Sequence, residues 1–360
     1  MEKALMKGNE AIAEAAIRAG CKAYFGYPIT PQSQIPEYMA RRMPEVPGGA
    51  FVQAESEVAA INMVYGAASA GVRSMTSSSS PGISLKQEGI SYIACAELPC
   101  LIVNIMRSGP GLGGILPSQG DYFQAVKGGG HGDYHMIVLA PASVQEAADL
   151  VFDGFNMADK YRIPVMILGD GIVGQMMEPV SFKSGCDGHE YDKGWAANGW
   201  ADKKRERNVI TSLYIEAEEL SEVNRKLKEK YDQITENEIL FEEVMIEDAE
   251  YVIAAFGTVG RIAKKAAIKA REMGIKVGVI RPITLWPFPK KAFSKLTGVK
   301  GILTVEMNQG QMLEDVCLSV CGATPVSFYG TTGGIIPTPE SILLEVNKMK
   351  EGAERGTNRL

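Results

Sequence analysis

Three separate stretches of the sequence place reactive or charged side chains next to turns. The segment Tyr27-Pro28-Ile29-Thr30-Pro31 offers a hydroxyl on a turn that two prolines stiffen, Glu57 opens an Ala-rich stretch, and Arg107 precedes a run of glycines. Hydroxyls, flexible glycines and one guanidinium at such turns suit a small anion that also carries polar groups. The pattern therefore predicts a pocket for a small acidic molecule rather than for a dinucleotide.

Arg107 directly follows the apolar stretch 101–105, which reads as a strand buried on both faces. Gly109 and Gly111 then leave bare backbone beside its side chain. A guanidinium in this position can bind a carboxylate through two parallel hydrogen bonds. The alternative is an ion pair with a nearby acid, and the position of Arg107 alone does not decide between the two.

Glu57 begins a predicted helix at 57–70, and the apolar composition of that helix makes burial of the carboxyl plausible. A buried carboxyl is costly unless it has a partner, so burial would indicate a function. The alternative is an ordinary acidic residue in the first turn of a helix, where the helix dipole favours negative charge. The residues alone favour this second interpretation.

Short apolar segments alternate with helical patterns along most of the chain, as in the helical pattern 144–161 followed by the strand pattern 164–168. This alternation predicts an α/β fold with parallel sheets covered by helices on both faces. We predict two parallel-sheet domains, at 1–181 and 246–350. The rhythm breaks between them, and we interpret 182–245 as a connector.

Ligands of open parallel sheets bind beyond the carboxyl ends of the strands. The loops predicted at that edge of the first domain are 27–33, 76–80, 106–120 and 169–174. The stretch Gly257-Thr258-Val259-Gly260 in the second domain lacks the full glycine pattern of a phosphate loop. A nucleotide-binding Rossmann protein is therefore a weaker alternative.

Composition excludes several classes of function. The net charge is −6, from 43 acidic and 37 basic residues, which gives no electrostatic reason to expect nucleic acid. The six cysteines form no Cys-x-x-Cys pair, so we predict no metal or iron–sulfur site on this chain. No apolar run approaches the roughly 18 residues that span a bilayer. With no signal-peptide pattern at the N-terminus, we expect a soluble, cytoplasmic protein.

The segment 27–31 resembles the substrate loop of the 2-oxoacid:ferredoxin oxidoreductases, in the alpha-type subunit that carries the pyrimidine-binding domain for thiamine diphosphate. The similarity extends over nearly the whole chain and includes the Glu57 helix, the Arg107 loop and the stretch Val305-Glu306-Met307-Asn308-Gln309-Gly310-Gln311. It implies a pyrimidine-type domain followed by a transketolase C-terminal-like domain. It also implies CoA-dependent oxidative decarboxylation of a 2-oxoacid, with reduction of ferredoxin.

The resemblance assigns roles to individual residues. It implies that Thr30 contacts the 2-oxoacid, that Arg107 holds its carboxylate, and that Glu57 hydrogen-bonds the aminopyrimidine nitrogen of the cofactor. The resemblance therefore favours a functional role for Glu57 over the alternative of an ordinary acidic residue in the first turn of a helix. The remaining residues of the expected substrate pocket are Tyr27, Pro28, Ile29, Gly109 and Gly111.

The resemblance also implies that the active site is shared between subunits. Gly169-Asp170-Gly171 begins the pattern that holds diphosphate through Mg2+, but the Asn at the right distance, Asn198, lies in the predicted connector. Mg2+ and the 4Fe-4S clusters are therefore expected on partner subunits. The expected partners are a diphosphate-binding beta-type, a gamma-type and a ferredoxin-like delta-type subunit, with an obligate interface above roughly 1,600 Å2.

The substrate is predicted from the residues that follow Arg107. The segment 108–122 resembles subunits for branched-chain substrates such as 2-oxoisovalerate, and its glycines leave room for a branched side chain. The alternative is 2-oxoglutarate, whose second carboxylate would need a further cation that the sequence does not indicate. An assembly subunit without any catalytic group is the third interpretation.

Overall fold

The computed structural model describes residues 3–183, 191–199, 206–296 and 298–355, so 184–190 and 200–205 of the predicted connector lie outside the described residues. The strands are β1 (Ala4–Lys7), β2 (Ala23–Gly26), β3 (Ala50–Gln53), β4 (Ser74–Ser78), β5 (Cys100–Met106), β6 (Ile137–Leu139), β7 (Pro164–Asp170), β8 (Met177–Val180), β9 (Phe241–Val244), β10 (Tyr251–Ala254), β11 (Val277–Pro282), β12 (Thr284–Trp286), β13 (Gly301–Glu306) and β14 (Val326–Gly330). The helices are α1 (Gly8–Arg18), α2 (Gln34–Arg42), α3 (Glu57–Ser69), α4 (Pro81–Cys95), α5 (Tyr122–Val126), α6 (Val144–Tyr161), α7 (Gly171–Gln175), α8 (Ala217–Asn237), α9 (Gly257–Glu272), α10 (Lys290–Ser294), α11 (Gln311–Val320) and α12 (Pro339–Arg355).

The first sheet has seven strands in the order β12-β6-β7-β5-β4-β2-β3. All neighbours pair in parallel except β12, which runs antiparallel to β6. Ser78 of β4 lies opposite Asn104 of β5, and Met106 of β5 lies opposite Asp170 of β7. The carboxyl ends of these parallel strands lie at the same edge of the sheet. The loops that follow these strands therefore share one edge of the sheet.

The strand β4 corrects one expectation from the sequence. Residues 76–80 were expected to form a loop, but Thr76, Ser77 and Ser78 end β4 in the middle of the sheet and are fully buried. The sheet satisfies their backbone groups, and neighbouring side chains bind two of the hydroxyls, so these polar residues can be buried. Polar composition alone was a misleading signal here.

The second sheet has five strands in the order β14-β13-β10-β11-β9, parallel except for β9 at one edge. This strand comes from the stretch predicted as a connector. In return, β12, which lies within the predicted second domain, extends the first sheet. The predicted fold class of two parallel-sheet units is confirmed, while the domain boundaries stay a prediction.

Helices cover both faces of the first sheet. On one face, α1 and α6 pack on a core that includes Ile12, Val151 and Ile167. On the other face, the core formed by α3 and α4 continues into the second unit without interruption, through Phe256 and Ile302. The shared core fixes the two sheets relative to each other. Within the described residues, we find no helix with the length and apolar character of a membrane span.

Candidate active site

The turn after β2 is held from below by a chain of buried hydrogen bonds. The Tyr24 hydroxyl lies 2.6 Å from the Ser77 Oγ, which donates to the Gln32 Oε1 at 2.5 Å. Gln32 in turn donates from Nε2 to the Tyr27 carbonyl at 3.3 Å. With the turn anchored in this way, Tyr27, Pro28 and Thr30 remain exposed at the edge of the sheet.

Arg107 lies just beyond the end of β5 and is 8% exposed. Its Nη1 donates to the Thr30 carbonyl at 3.0 Å, and its Nη2 donates to the Leu112 carbonyl at 3.0 Å. Within the described part of the chain, the buried Nε has no hydrogen-bond partner. These contacts are to neutral carbonyls rather than to carboxylates, so among the described residues the guanidinium of Arg107 forms no direct ion pair.

A cluster behind Arg107 contains residues that the sequence analysis missed. Asp121 accepts hydrogen bonds from the Ser80 Oγ at 2.6 Å and the Asn104 Nδ2 at 2.9 Å, and the same Ser80 Oγ accepts from the Arg107 backbone N at 3.0 Å. Burial raises the pKa of Asp121, while these two hydrogen bonds and the charge of Arg107 oppose the rise. Asn104, a polar residue in an otherwise apolar strand, was the sequence feature that could have indicated this cluster.

Glu57 is the first residue of α3 and is 6% exposed, so the burial that the apolar helix made plausible is present. The helix begins cleanly because the Ser56 Oγ accepts a hydrogen bond from the Ala59 backbone N at 3.1 Å. The Glu57 carboxyl faces the bare α-carbon of Gly82. A Cβ at Gly82 would lie 2.7 Å from the Glu57 Oε1 and 2.1 Å from the Ser78 Oγ, so a larger residue there would displace one or both of these side chains.

Lys86 is a second buried charge near Glu57, and the sequence analysis missed it. Its side chain is fully buried on α4 and donates to the Thr76 hydroxyl and, at 3.4 Å, to the Ser77 carbonyl. Burial lowers the pKa of Lys86 to about 7, and the negative charge of Glu57 opposes the shift. Helical spacing could have indicated this burial, since Lys86 lies on one apolar face of α4 with Ile83 and Ile90.

The predicted pocket residues Gly109 and Gly111 lie on an exposed loop with open space around both α-carbons. The loop folds back at its base, where the Ser108 backbone N donates to the Leu116 carbonyl at 2.9 Å. The structure thus brings Gly109 and Gly111 to the same edge as Arg107 and Thr30. It places no packed neighbour against either glycine.

Asp170 serves as a helix cap. Its Oδ1 accepts hydrogen bonds from the Ile172 backbone N at 2.9 Å and the Val173 backbone N at 3.1 Å, at the start of α7. Burial raises the pKa of Asp170. In the described part of the chain, no group of three or more His, Cys, Asp or Glu side chains is arranged to hold a metal ion.

Comparison with known proteins identifies the family. Residues 14–242 match the family model described as pyruvate flavodoxin/ferredoxin oxidoreductase, thiamine diphosphate-binding, and residues 249–342 match pyruvate:ferredoxin oxidoreductase core domain II. The chain belongs to the 2-oxoacid:ferredoxin oxidoreductases. The recognition made from the segment 27–31 is therefore confirmed, and with it the class of enzyme.

Individual members of the family align over nearly their whole length. The chain is 51% identical to the ketoisovalerate oxidoreductase subunit VorB of Methanothermobacter marburgensis, covering 97% of this chain and 98% of that protein. It is 36% identical to the 2-oxoglutarate synthase subunit KorA of Methanothermobacter thermautotrophicus, covering 97% and 99%. The solved 2-oxoglutarate:ferredoxin oxidoreductase of Magnetococcus marinus, with 2-oxoglutarate, coenzyme A and succinyl-CoA bound, superimposes with a TM-score of 0.84 at 29% identity. That match covers 97% of this chain but spans only 65% of the other.

The described residues fit the aminopyrimidine part of thiamine diphosphate, the cofactor in the description of the matching family model. An aminopyrimidine ring presents a ring nitrogen and an amino group, and both need polar partners. Glu57 offers a buried carboxyl, and the buried hydroxyls of Ser78 and Ser79 have no hydrogen-bond partner among the residues that the structure describes. Unsatisfied buried hydroxyls are uncommon in folded proteins and indicate a polar ligand or water.

Proposed function

We propose that this chain is the pyrimidine-binding, alpha-type subunit of a cytoplasmic 2-oxoacid:ferredoxin oxidoreductase complex. The reaction is the CoA-dependent oxidative decarboxylation of a 2-oxoacid to an acyl-CoA and CO2, with electrons passing to ferredoxin. We favour 2-oxoisovalerate as the substrate. The observation that carries the proposal is the buried Glu57 carboxyl, which lies at the strand-end edge that also holds Arg107.

Each proposed role rests on a contact or a burial in this chain. Arg107 places a positive charge beside the Thr30 turn and donates only to neutral carbonyls there, which suits the carboxylate of a 2-oxoacid. Glu57 is held at the start of α3, where its buried carboxyl can hydrogen-bond a ring nitrogen. When bound, thiamine diphosphate supplies the carbon nucleophile for decarboxylation, and the protein supplies orientation and electrostatics.

The choice of 2-oxoisovalerate rests on two observations. The relative at 51% identity is named for ketoisovalerate, whereas the relative at 36% is named for 2-oxoglutarate. The loop after Arg107 leaves open space around Gly109 and Gly111, which can receive a branched apolar side chain. A dicarboxylate would need a second cation, and in the sequence Arg107 is the one Lys or Arg of the loop 106–120.

The proposal includes partner subunits that complete the active site. A diphosphate-binding beta-type subunit would hold the diphosphate, Mg2+ and a 4Fe-4S cluster, and gamma-type and ferredoxin-like delta-type subunits would complete the complex. The name of the relative at 51% identity, which describes that protein as a subunit, supports this part of the proposal. We expect the interface with the beta-type subunit to bury more than roughly 1,600 Å2.

Viologen reduction tests the proposed function directly. The chain is co-expressed with its neighbouring subunits and supplied with thiamine diphosphate, Mg2+ and coenzyme A, and the rate is measured across a panel of 2-oxoacids. Strong turnover of 2-oxoisovalerate would support both reaction and substrate. Turnover of 2-oxoglutarate with little on 2-oxoisovalerate would keep the reaction and change the substrate. If a complex shown to contain cofactor and clusters reduced viologen with none of the 2-oxoacids, the result would contradict the proposal.

The assembly role remains a distinct second candidate. It predicts that replacing the Glu57 carboxyl with an amide leaves the activity of the complex unchanged. Full activity of the Glu57→Gln complex would therefore favour an assembly subunit over a catalytic one.

A further inference from the structure

The stretch after β13 makes an extensive set of contacts with the loop 106–120 of the first unit. The Gln119 backbone N donates to the Met307 carbonyl at 3.0 Å, and the Met307 backbone N donates to the Gln119 Oε1 at 3.1 Å. The Asn308 Nδ2 donates to the Gln119 carbonyl at 2.8 Å. Gln119 is thus bound through both its backbone and its side chain by residues almost 190 positions away in the sequence.

Asn308 has every polar atom of its side chain occupied. Its Nδ2 also donates to the Glu306 Oε2 at 2.8 Å, and its Oδ1 accepts from the backbone N of Gly310 at 2.7 Å and of Gln311 at 3.2 Å. Glu306 in turn caps the start of α11. Because Asn308, Glu306 and Gln119 are buried and all four hydrogen bonds of the amide are made, the Asn308 amide is fixed in one orientation.

The segment that Asn308 holds is also the segment that supports Arg107. Two residues before Gln119, Pro117 forms an isolated antiparallel bridge with Arg107. Two residues after it, Asp121 accepts the hydrogen bond from the Ser80 Oγ, and that oxygen accepts from the Arg107 backbone N. The segment 117–121 therefore contacts or supports Arg107 at both of its ends, with Gln119 in the middle.

We propose that Asn308 is a positioning residue for the substrate site, acting through the segment 117–121 to set where the Arg107 guanidinium lies. This inference rests on the proposed function, in which Arg107 binds the carboxylate of the 2-oxoacid. An amide suits the role because it donates two hydrogen bonds and accepts two at the same place. Neither an aspartate nor an aliphatic residue can do both.

The first experiment compares Asn308→Ala with the wild-type complex in steady-state kinetics and in thiamine diphosphate binding. We expect the KM for the 2-oxoacid to rise about tenfold or more, because a small displacement of a binding group has a large effect on a reaction. The Kd of thiamine diphosphate should stay within twofold, since Glu57 lies outside this network. Lys127→Met is the matched control, because it removes the 2.5 Å contact to Asp315 between the same two units and leaves 117–121 untouched.

A double-mutant cycle tests whether Asn308 acts through Arg107. In an Arg107→Lys background, Asn308→Ala should raise KM far less than it does alone, since coupled residues are not additive. Additive effects would overturn the inference. So would an unchanged KM, or a loss of cofactor affinity equal to the rise in KM, which would indicate a general structural defect.

Amide hydrogen exchange gives a readout that does not depend on activity. In Asn308→Ala, exchange should become faster across 106–121 while the start of α3 keeps the wild-type rate. Unchanged protection of 106–121 would contradict the inference even if the complex turned over no 2-oxoacid. A wild-type complex without activity would contradict only the proposed function. The failure of the proposed function and the failure of the inference about Asn308 can therefore be distinguished.

Discussion

The Arg107 guanidinium donates a 3.0 Å hydrogen bond from Nη1 to the backbone carbonyl of Thr30. These two residues are 77 positions apart, and each was predicted separately to contact the substrate. In the folded chain they form one unit, in which the side chain of Arg107 fixes the backbone of the turn and the Thr30 side chain stays exposed. A ligand that binds Arg107 therefore meets the Thr30 turn at the same time.

Substitution of Arg107 should separate charge from geometry. Arg107→Lys keeps a positive charge but cannot reach the Thr30 and Leu112 carbonyls and an anion together, so we expect the KM for the 2-oxoacid to rise about tenfold or more. Arg107→Met removes the charge as well and should raise KM further. Steady-state kinetics of the complex measure both. Equal KM values for the Arg107→Lys variant and the wild type would show that the paired hydrogen bonds of the guanidinium do not contribute to substrate binding.

Glu57→Gln should reduce turnover on the order of a hundredfold, because an amide cannot exchange a proton as a carboxyl does. Thiamine diphosphate affinity, measured by calorimetry on the same complex, should also fall. Glu55→Gln is the matched control, since Glu55 is exposed two residues earlier. A Glu55 variant as impaired as the Glu57 variant would indicate that the loop, rather than the buried carboxyl, matters.

Lys86 should make stability rise with pH. Its folded-state pKa of about 7 lies below the unfolded value near 10.4, so the unfolded chain binds the extra proton between those pH values. The free energy of unfolding should therefore rise by up to about 1.4 kcal/mol per pH unit from pH 7 to pH 10. Lys86→Met lacks this contribution, so its stability relative to wild type should fall over that range. Urea unfolding at pH 6, 7, 8 and 9 measures the difference. A constant difference would show that Lys86 is not titrating.

Glu306 should have the opposite effect in a more acidic range. Burial raises its pKa to about 7, opposed by hydrogen bonds from Met312, Asn308 and Leu313, and Asp315 adds to the rise. The folded chain then binds more protons than the unfolded chain between about pH 4.3 and pH 7, so stability should fall as pH rises through that window. Glu306→Gln should remove this slope in thermal unfolding from pH 5 to pH 7. Glu314→Gln, on the exposed face of α11, is the control and should follow the wild type.

The sequence by itself determined the fold class, the family and some of the elements. The pattern 144–161 is the helix α6 to the residue, and the alternation of strands and helices predicts the observed fold class, because hydrophobic periodicity is a local property. The segment 27–31, Glu57 and Arg107 were also identifiable locally, since each is a distinctive residue type beside a turn. Their roles stay predictions that the experiments above test.

Only the tertiary structure decided which residues meet. The transfer of β12 to the first sheet, the burial of the polar strand β4 and the bond between Asn308 and Gln119 all depend on contacts between segments distant in the sequence. Lys86 shows the same limit, because its helix pattern marks an apolar face but not the Thr76 hydroxyl that binds its ammonium group. Such contacts depend on how the elements pack, and residue type or periodicity along the chain does not specify the partner.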